Sequence, residues 1–240
     1  AVYGDPLPAF VDDDTPLAPR MIYGAHKALM EQWLATQTRR GAISALSLRL
    51  PGIIARPRGP SGMKSSFMSD VFHALKAGER IALPVSPLAT MWLMSVIQIA
   101  QNLVHALHID AEGALTLPAQ RVVMEDLVKA ICEATGSEAD LVAYAPDTAI
   151  EHAFGSQPPL STPIGEALGF NVARFLKILL DETFAATKSG NRFSSGRLKL
   201  LFDFVLVVDN LDASTTATER SLDGNRQSVF RNKVENFFRS

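Results

Sequence analysis

Cysteine is almost absent from this sequence of 240 residues, which contains only Cys132. One thiol cannot form an internal disulfide or a cysteine-based metal cluster. The apolar helical pattern around Cys132 favours a small buried side chain over a reactive thiol. Apolar runs are short as well, and none reaches the roughly 20 residues that a membrane-spanning helix needs. We expect a cytoplasmic protein in a reducing compartment.

The sequence also lacks an excess of charge of either sign, and it lacks the usual glycine-rich motifs. The formal net charge is −2, which gives no reason to expect a nucleic acid or an anionic membrane as a partner. No Gly-x-Gly-x-x-Gly or P-loop joins a strand to a helix, so the sequence holds no phosphate-binding turn of those types. The absence of Gly-x-Ser-x-Gly excludes the usual nucleophile elbow of serine hydrolases.

The sequence does contain a Tyr-x-x-x-Lys motif, formed by Tyr23 and Lys27 at the start of a helix predicted over residues 21–39. Four residues make about one helical turn, so both side chains project from one face. An ammonium beside a phenol favours the phenolate and lowers its pKa, which makes the pair a usable acid and base for a substrate hydroxyl. The alternative is an amphipathic helix with a surface lysine and a half-buried tyrosine.

Helices and strands alternate after this motif. Residues 45–54 form a continuous apolar run, which predicts a strand buried on both faces of a parallel sheet. A helix followed by such a strand is half of a βαβ unit and predicts an α/β fold. The further patterns predict helices at 66–77, 96–108, 122–135 and 164–168, and strands at 81–85, 90–94, 114–118 and 141–144.

A basic loop, residues 55–64, follows the strand at the edge where open α/β sheets bind ligands. Arg56, Arg58 and Lys64, with the hydroxyls of Ser65 and Ser66, would suit a small anionic, hydroxylated ligand. A solvated basic loop is the alternative.

Two clusters of side chains could in principle bind a metal ion, but we favour a solvent-exposed surface position for both. They are the acidic run at residues 12–14 and the pair His105 and His108, and neither has the further ligands that a site needs.

The order of these patterns resembles the extended short-chain dehydrogenase/reductase family, also called the NAD-dependent epimerase/dehydratase family. Within it the closest resemblance is to the D-erythronate dehydrogenases. The resemblance covers residues 1 to about 170. The residues that carry it are Ala1-Val2-Tyr3-Gly4, Tyr23 and Lys27, Leu48-Arg49-Leu50-Pro51-Gly52-Ile53, Arg56-Pro57, Ser65-Ser66-Phe67, Met91-Trp92-Leu93-Met94-Ser95 and Asn102-Leu103-Val104-His105-Ala106-Leu107.

The resemblance implies a fold and a domain organisation. The fold would be the C-terminal portion of a Rossmann-like, doubly wound parallel sheet with a smaller α/β substrate-binding region. Residues 1–60 would complete the dinucleotide-binding domain, and residues 61–174 would bind substrate together with the last Rossmann elements. Residues 175–240 do not match the family pattern, and the sequence assigns them no role. The chain would lack the N-terminal half, and we expect it to be inactive alone.

The resemblance also implies a reaction. Tyr23 would take the proton of a substrate hydroxyl while hydride leaves for NAD, and Lys27 would lower the Tyr23 pKa and bind the nicotinamide ribose. Leu50, Pro51 and Ile53 would line the nicotinamide.

Substrate and partner are implied in the same way. Arg56, Ser65, Ser66 and Trp92 would contact a small sugar acid such as D-erythronate, oxidised at its 2-hydroxyl. A sugar-nucleotide epimerase or dehydratase, an L-threonine dehydrogenase, and a non-catalytic remnant are the alternatives. The helix at 21–39 would pair two subunits in a homodimer.

Overall fold

The computed structural model describes residues 1–4, 6–54 and 64–171 of the chain. Helices and strands alternate through these ranges, with one short 3-10 helix at Ala139–Leu141. The helices are α1 Ile22–Arg39, α2 Phe67–Ala77, α3 Val96–Ala106, α4 Met124–Thr135, α5 Thr148–Phe154 and α6 Pro163–Ala167. The strands are β1 Leu46–Arg49, β2 Gly52–Ile54, β3 Ile81–Leu83, β4 Thr90–Ser95, β5 Gly113–Thr116, β6 Gln120–Val123 and β7 Val142–Tyr144.

Helix ends follow local chemistry that the sequence carries. The left-handed Gly78, with φ of 68°, closes α2, because a residue without Cβ adopts that conformation at little cost. Gly136 closes α4 in the same way. At the start of α3 the Ser95 hydroxyl accepts a hydrogen bond from the backbone N–H of Gln98. These ends confirm the predicted helices to within two residues.

Parallel pairing dominates the sheets of the described residues. β1 pairs with β5, β2 with β4, and β3 with β7, all parallel. Only β6 runs antiparallel, against β4. Helices connect the parallel strands, as crossovers between such strands require. The predicted α/β fold class is confirmed.

The expectation of one continuous strand over residues 45–54 is wrong. The ladder breaks at Leu50 and Pro51, so that β1 and β2 pair with different strands. Proline has no N–H to donate to a ladder, which explains the break. β1 is half-buried along its length instead of buried on both faces.

Two elements differ from the sequence patterns in the C-terminal part. The helix predicted from residue 122 begins at Met124, because Gln120–Val123 form the antiparallel strand β6. Helix α5 was not predicted. It begins after Asp147, whose carboxylate accepts a hydrogen bond from the N–H of Ile150.

Among the described residues, the core consists of three apolar clusters. The largest packs α2 and α4 around β4, with Phe72, Met91 and Ile131 fully buried. The second lies beside α3 and includes Met94 and Leu117. The third joins the N-terminal segment to β4, and its members are Val2, Tyr3, Val11 and Trp92.

The structure tests some of the remaining expectations, and others fall outside the described residues. Cys132 is buried, as predicted. Within the described part of the chain, no helix has the length and apolarity to cross a membrane. The predicted domain boundaries near residues 60 and 174, and the segment 175–240, lie outside the described residues.

Candidate active site

Tyr23 and Lys27 lie on the first two turns of α1. The backbone of Met21 is extended before the helix, with φ of −84° and ψ of 141°, and its side chain makes no capping hydrogen bond. The Tyr23 side chain is 58% exposed. Lys27 is half-buried, and its Nζ lies 5.1 Å from the centroid of the Tyr23 ring. The predicted neighbourhood of phenol and ammonium is therefore present, with the cation over the ring face.

The titration of this pair is set by desolvation. Partial burial raises the pKa of the Tyr23 phenol above its ordinary value, because it disfavours the charged phenolate. The same cause lowers the pKa of Lys27. The direction for Tyr23 is opposite to the lowering that an adjacent ammonium was expected to produce, so Tyr23 holds its proton at neutral pH in this state.

Gly24 fixes the place of α1 in the molecule. It is the one buried residue of the helix. A Cβ built at Gly24 would meet the carbonyl oxygen of Ala1 at 2.1 Å and the Cβ of Pro19 at 3.1 Å. The N-terminal segment thus packs directly on the helix backbone between Tyr23 and Lys27, a contact that only glycine allows.

Arg49, the last residue of β1, connects this strand to α1, to the N-terminal segment and, through Tyr3, to β5. Its Nη2 donates to Glu31 Oε2 at 2.8 Å, and its Nε donates to Oε1 at 3.1 Å. Its Nη1 donates to the Tyr3 hydroxyl at 3.0 Å, and that hydroxyl is hydrogen-bonded to the Thr116 hydroxyl of β5. The carboxyl end of β1 is thereby held against α1, one helical turn beyond Lys27.

The predicted cofactor contacts Leu50, Pro51 and Ile53 directly follow Arg49. All three are half-buried. Ile53 is paired with Met94 of β4, and its carbonyl oxygen accepts a hydrogen bond from Ser69 Oγ at 3.4 Å. Their backbone therefore lies at the end of β1 that Arg49 holds beside α1.

The predicted substrate contacts come from three segments of the chain. Arg56 and most of its loop lie outside the described residues. Ser65 and Ser66 are half-buried at the start of α2, and the Ser66 side chain does not cap that helix. Trp92 is 7% exposed, and its indole N–H donates to the carbonyl oxygen of Pro158 at 2.7 Å. That geometry gives Trp92 a packing position, and its contact with a substrate stays a prediction.

The clusters that invited a metal have other partners. The Asp12 carboxylate accepts from the Thr15 hydroxyl, and the Asp13 carboxylate accepts from the N–H of Ile164. His105 Nε2 is hydrogen-bonded to the carbonyl oxygen of Leu168. Over residues 1–4, 6–54 and 64–171, no three His, Cys, Asp or Glu side chains are placed to hold a metal ion.

Comparison with known proteins tests the resemblance that the sequence motifs suggest. Residues 1–113 match the family model described as the NAD dependent epimerase/dehydratase family. The family resemblance is confirmed. A D-erythronate dehydrogenase from Cupriavidus necator is 33% identical over 164 residues, which are 66% of this chain and 51% of that protein. One from Haemophilus influenzae is 29% identical over 180 residues, covering 72% of this chain and 57% of the relative.

Solved structures show the same fold. The nucleoside-diphosphate-sugar epimerase from Agrobacterium tumefaciens matches with a TM-score of 0.68 and 26% identity, over 75% of this chain and 55% of that one. A GalE-like L-threonine dehydrogenase from Cupriavidus necator, in its holo form, matches with a TM-score of 0.68 and 21% identity, over 78% and 62%. The chain thus spans about half the length of its curated relatives and less than two thirds of these structures.

The family description names NAD, and the residues present suit one end of that cofactor. A phenol and an ammonium on one face of α1 could bind ribose hydroxyls, and the half-buried turn at Leu50 and Pro51 could cover the nicotinamide ring. Arg49 joins the end of β1 to α1, so the surface for the ribose and the surface for the nicotinamide lie side by side. The sequence offers no glycine-rich turn for the pyrophosphate at the other end.

Glu31 and Arg49 are the residues that sequence reasoning missed. The sequence nevertheless contains an indication for each of these two residues. Glu31 follows Lys27 by four residues, as Lys27 follows Tyr23, and Arg49 is the one charge in the apolar run 45–54. Their pairing spans 18 residues of sequence, which the period of a helix or strand does not encode.

Proposed function

We propose that this chain is the catalytic-helix and substrate-binding portion of an NAD-dependent dehydrogenase. Its substrate would be a small sugar acid such as D-erythronate, oxidised at the 2-hydroxyl. The observation that carries the proposal is the accessible Tyr23 phenol with the Lys27 ammonium 5.1 Å from its ring centroid. The names of the two curated relatives support the choice of substrate.

Each residue has a defined part in this proposal. Tyr23 takes the proton from the substrate hydroxyl, and Lys27 keeps a positive charge beside the phenol and binds the nicotinamide ribose. NAD, when bound, supplies the acceptor for the hydride that leaves the substrate carbon. Leu50, Pro51 and Ile53 cover the nicotinamide and keep water from it.

The substrate carboxylate requires a positive charge, and Arg56 is the residue that we assign to it. Arginine binds a carboxylate with two parallel hydrogen bonds, which would orient the adjacent hydroxyl. Ser65, Ser66 and Trp92 would complete the contacts to the sugar acid.

The test is NADH formation from a substrate panel. Because the 240 residues hold no glycine-rich turn, the chain is joined to the N-terminal portion of the Cupriavidus necator relative. The panel contains D-erythronate, L-threonine and a nucleotide sugar, and Tyr23→Phe is the catalytic variant. Tyr144→Phe, which removes a phenol from β7, is the matched control. We expect D-erythronate turnover that Tyr23→Phe abolishes and Tyr144→Phe retains. Turnover of L-threonine alone would overturn the substrate, and full activity of Tyr23→Phe would overturn the mechanism.

An exposed apolar face on α1 favours a second function, the pairing of two copies of this chain. Ile22, Leu29 and Trp33 are 76%, 65% and 48% exposed, and their spacing of seven and four residues places them on one face. Isolated exposed apolar residues are common, but a stripe of three indicates an interaction surface. This surface would operate with or without catalysis.

Sedimentation of paired variants tests the homodimer. Leu29→Glu puts a charge in the middle of the stripe and should shift the chain to monomer. Leu88→Glu, at a residue that is 71% exposed outside α1, should leave the dimer unchanged. A monomeric parent chain, or a dimer that survives Leu29→Glu, would contradict the proposal.

A further inference from the structure

Arg49 is held in place both through its backbone and through its side chain. Its carbonyl oxygen accepts a hydrogen bond from the N–H of Leu117 at 3.1 Å, where the ladder between β1 and β5 ends. Its guanidinium donates to both oxygens of Glu31 on α1, at 2.8 Å from Nη2 to Oε2 and 3.1 Å from Nε to Oε1. The last residue of β1 is therefore bound to the sheet by its backbone and to the helix by its side chain.

The contact between Arg49 and Glu31 fixes an orientation as well as a distance. Two parallel hydrogen bonds to one carboxylate hold the planar guanidinium in a defined position, which a single ammonium contact does not do. The two side chains are only 16% and 12% exposed, so water competes little for the pair. Burial alone would lower the pKa of Arg49, but its hydrogen bonds to Glu31 and Tyr3 outweigh that effect and raise it. The guanidinium therefore keeps its charge.

A second branch of hydrogen bonds holds the guanidinium from the other side. Arg49 Nη1 donates to the Tyr3 hydroxyl at 3.0 Å. Because a guanidinium can only donate, the phenol proton of Tyr3 is available for the Thr116 hydroxyl, to which Tyr3 is hydrogen-bonded. Tyr3 and Thr116 are both buried. The place of Arg49 thus does not depend on Glu31 alone, and the pair transmits the position of the sheet to the helix.

Helix α1 buries little apolar surface against the rest of the described chain. Gly24 is its one buried residue, and Ile22, Leu29 and Trp33 are exposed. Apolar packing is also non-directional, so it fixes the orientation of a helix less sharply than a polar contact does. A helix packed in this way depends on directional contacts for its position, and the bond from Glu31 to Arg49 is such a contact.

Leu50 and Pro51 form the connecting turn between β1 and β2. The turn belongs to neither ladder, because the two strands pair with different partners. On its far side Gly52 packs tightly on β4, where an added Cβ would lie 3.0 Å from the carbonyl oxygen of Trp92. The connecting turn is therefore anchored by Gly52 at one end and by Arg49 at the other, and the Arg49 end is the one that also holds α1.

We propose that Glu31 and Arg49 are positioning residues that set the spacing between α1 and the connecting turn. The inference deepens the proposed function and rests on it, because α1 carries Tyr23 and Lys27 and the turn would cover the nicotinamide. A misplacement of about 1 Å between reacting groups can cost about 100-fold in rate. Hydride transfer would therefore require that the helix and the turn keep one fixed separation.

A distance measurement on the full chain of 240 residues tests the geometric part of this inference. Spin labels are attached at two exposed positions, Gln32→Cys on α1 and Glu133→Cys on α4, in a Cys132→Ala background. Helix α4 packs on β6, in the sheet beyond the connecting turn. Arg49→Lys keeps the charge but cannot span both carboxylate oxygens, so the distance distribution should shift or broaden by about 1 Å or more. Arg39→Lys, at an exposed arginine of the same helix, is the matched control and should leave the distribution unchanged.

A double variant shows whether the two residues act as one contact. Glu31→Gln should have the same effect on the distance as Arg49→Lys, and Glu31→Gln/Arg49→Lys should have no larger effect, because all three remove the same pair of hydrogen bonds. Effects that add, or an unchanged distribution in both single variants, would overturn the proposal. If Arg49→Lys does not fold, Glu31→Gln carries the test, because it keeps the shape of the side chain and the bond from Arg49 to Tyr3.

Kinetics of the chimera with the Cupriavidus necator portion separate positioning from stability. In Arg49→Lys, kcat should fall about 10- to 100-fold and KM for NAD should rise, while KM for D-erythronate stays unchanged. A smaller folded fraction would lower kcat alone, and that result would overturn the positioning role, as would parent values of both kcat and KM for NAD. Expected distance changes in a chimera that turns over no substrate would count against the dehydrogenase and leave the geometric link in place.

Discussion

Replacing Gly24 by alanine should destabilise the chain, although helix propensity alone predicts the reverse. Alanine is favoured over glycine inside a helix by about 1 kcal/mol. At this position the new Cβ would lie 2.1 Å from the Ala1 carbonyl oxygen and 2.8 Å from the Ala1 carbonyl carbon. Both are backbone atoms, so no side-chain rotation relieves the overlap.

The neighbours of Ala1 prevent an easy retreat. Val2 is buried, and its carbonyl oxygen accepts a hydrogen bond from the N–H of Ala18 at 3.0 Å. Moving Ala1 therefore displaces Val2, and with it the Tyr3 that contacts Arg49. Overpacking of this kind costs about 1–3 kcal/mol, which offsets or exceeds the gain in propensity. We expect a net loss of up to about 2 kcal/mol in the free energy of unfolding.

Urea unfolding followed by circular dichroism measures this loss, with Ala25→Gly as the control. Ala25 is the exposed neighbour of Gly24, so its replacement reports propensity without a steric term and should cost about 0.5–1 kcal/mol. A Gly24→Ala chain that is more stable than the parent, by about what Ala25→Gly loses, would refute the packing argument.

Two further predictions concern the site and its surroundings. Partial burial raises the pKa of Tyr23, so the phenolate that accepts the substrate proton is scarce at neutral pH. For oxidation by the active chimera, kcat/KM should therefore still be rising at about pH 10. A plateau of kcat/KM near neutral pH would contradict this direction of the pKa shift. Trp92→Phe leaves the Pro158 carbonyl oxygen without its donor and should cost about 1–3 kcal/mol in urea unfolding, and an unchanged midpoint would show that the indole bond contributes nothing.

The parts of the fold that the sequence predicts are those governed by local chemistry. The helix at 21–39 follows from its apolar spacing, and the ends of α2 and α4 follow from Gly78 and Gly136. The parallel pairing follows from alternating helices and strands. All of these depend on residues within a few positions of one another, where sequence patterns are informative.

The parts that it did not predict depend on contacts between distant residues. The apolar run at 45–54 does not reveal that Pro51 ends one ladder and that a new one begins at Gly52 with another partner. Strand β6 has an apolar half that is indistinguishable from the first turn of α4 until β4 pairs with it. Likewise, the direction of the Tyr23 pKa depends on how much of its ring the fold covers, and a motif does not specify that.

The break at Leu50 and Pro51 also affects how this segment can change in evolution. Since β1 and β2 pair with different strands, an inserted or deleted residue between them would shift β2 along β4 and leave the register of β1 against β5 intact. Side chains alternate along a strand, so a slip of one residue would turn Ile54, which is fully buried, towards the opposite face. For the stability of the fold, the two-residue length of this connection is therefore under stronger constraint than its amino-acid identities, and we expect an insertion or deletion there to destabilise the chain more than a substitution that keeps the length.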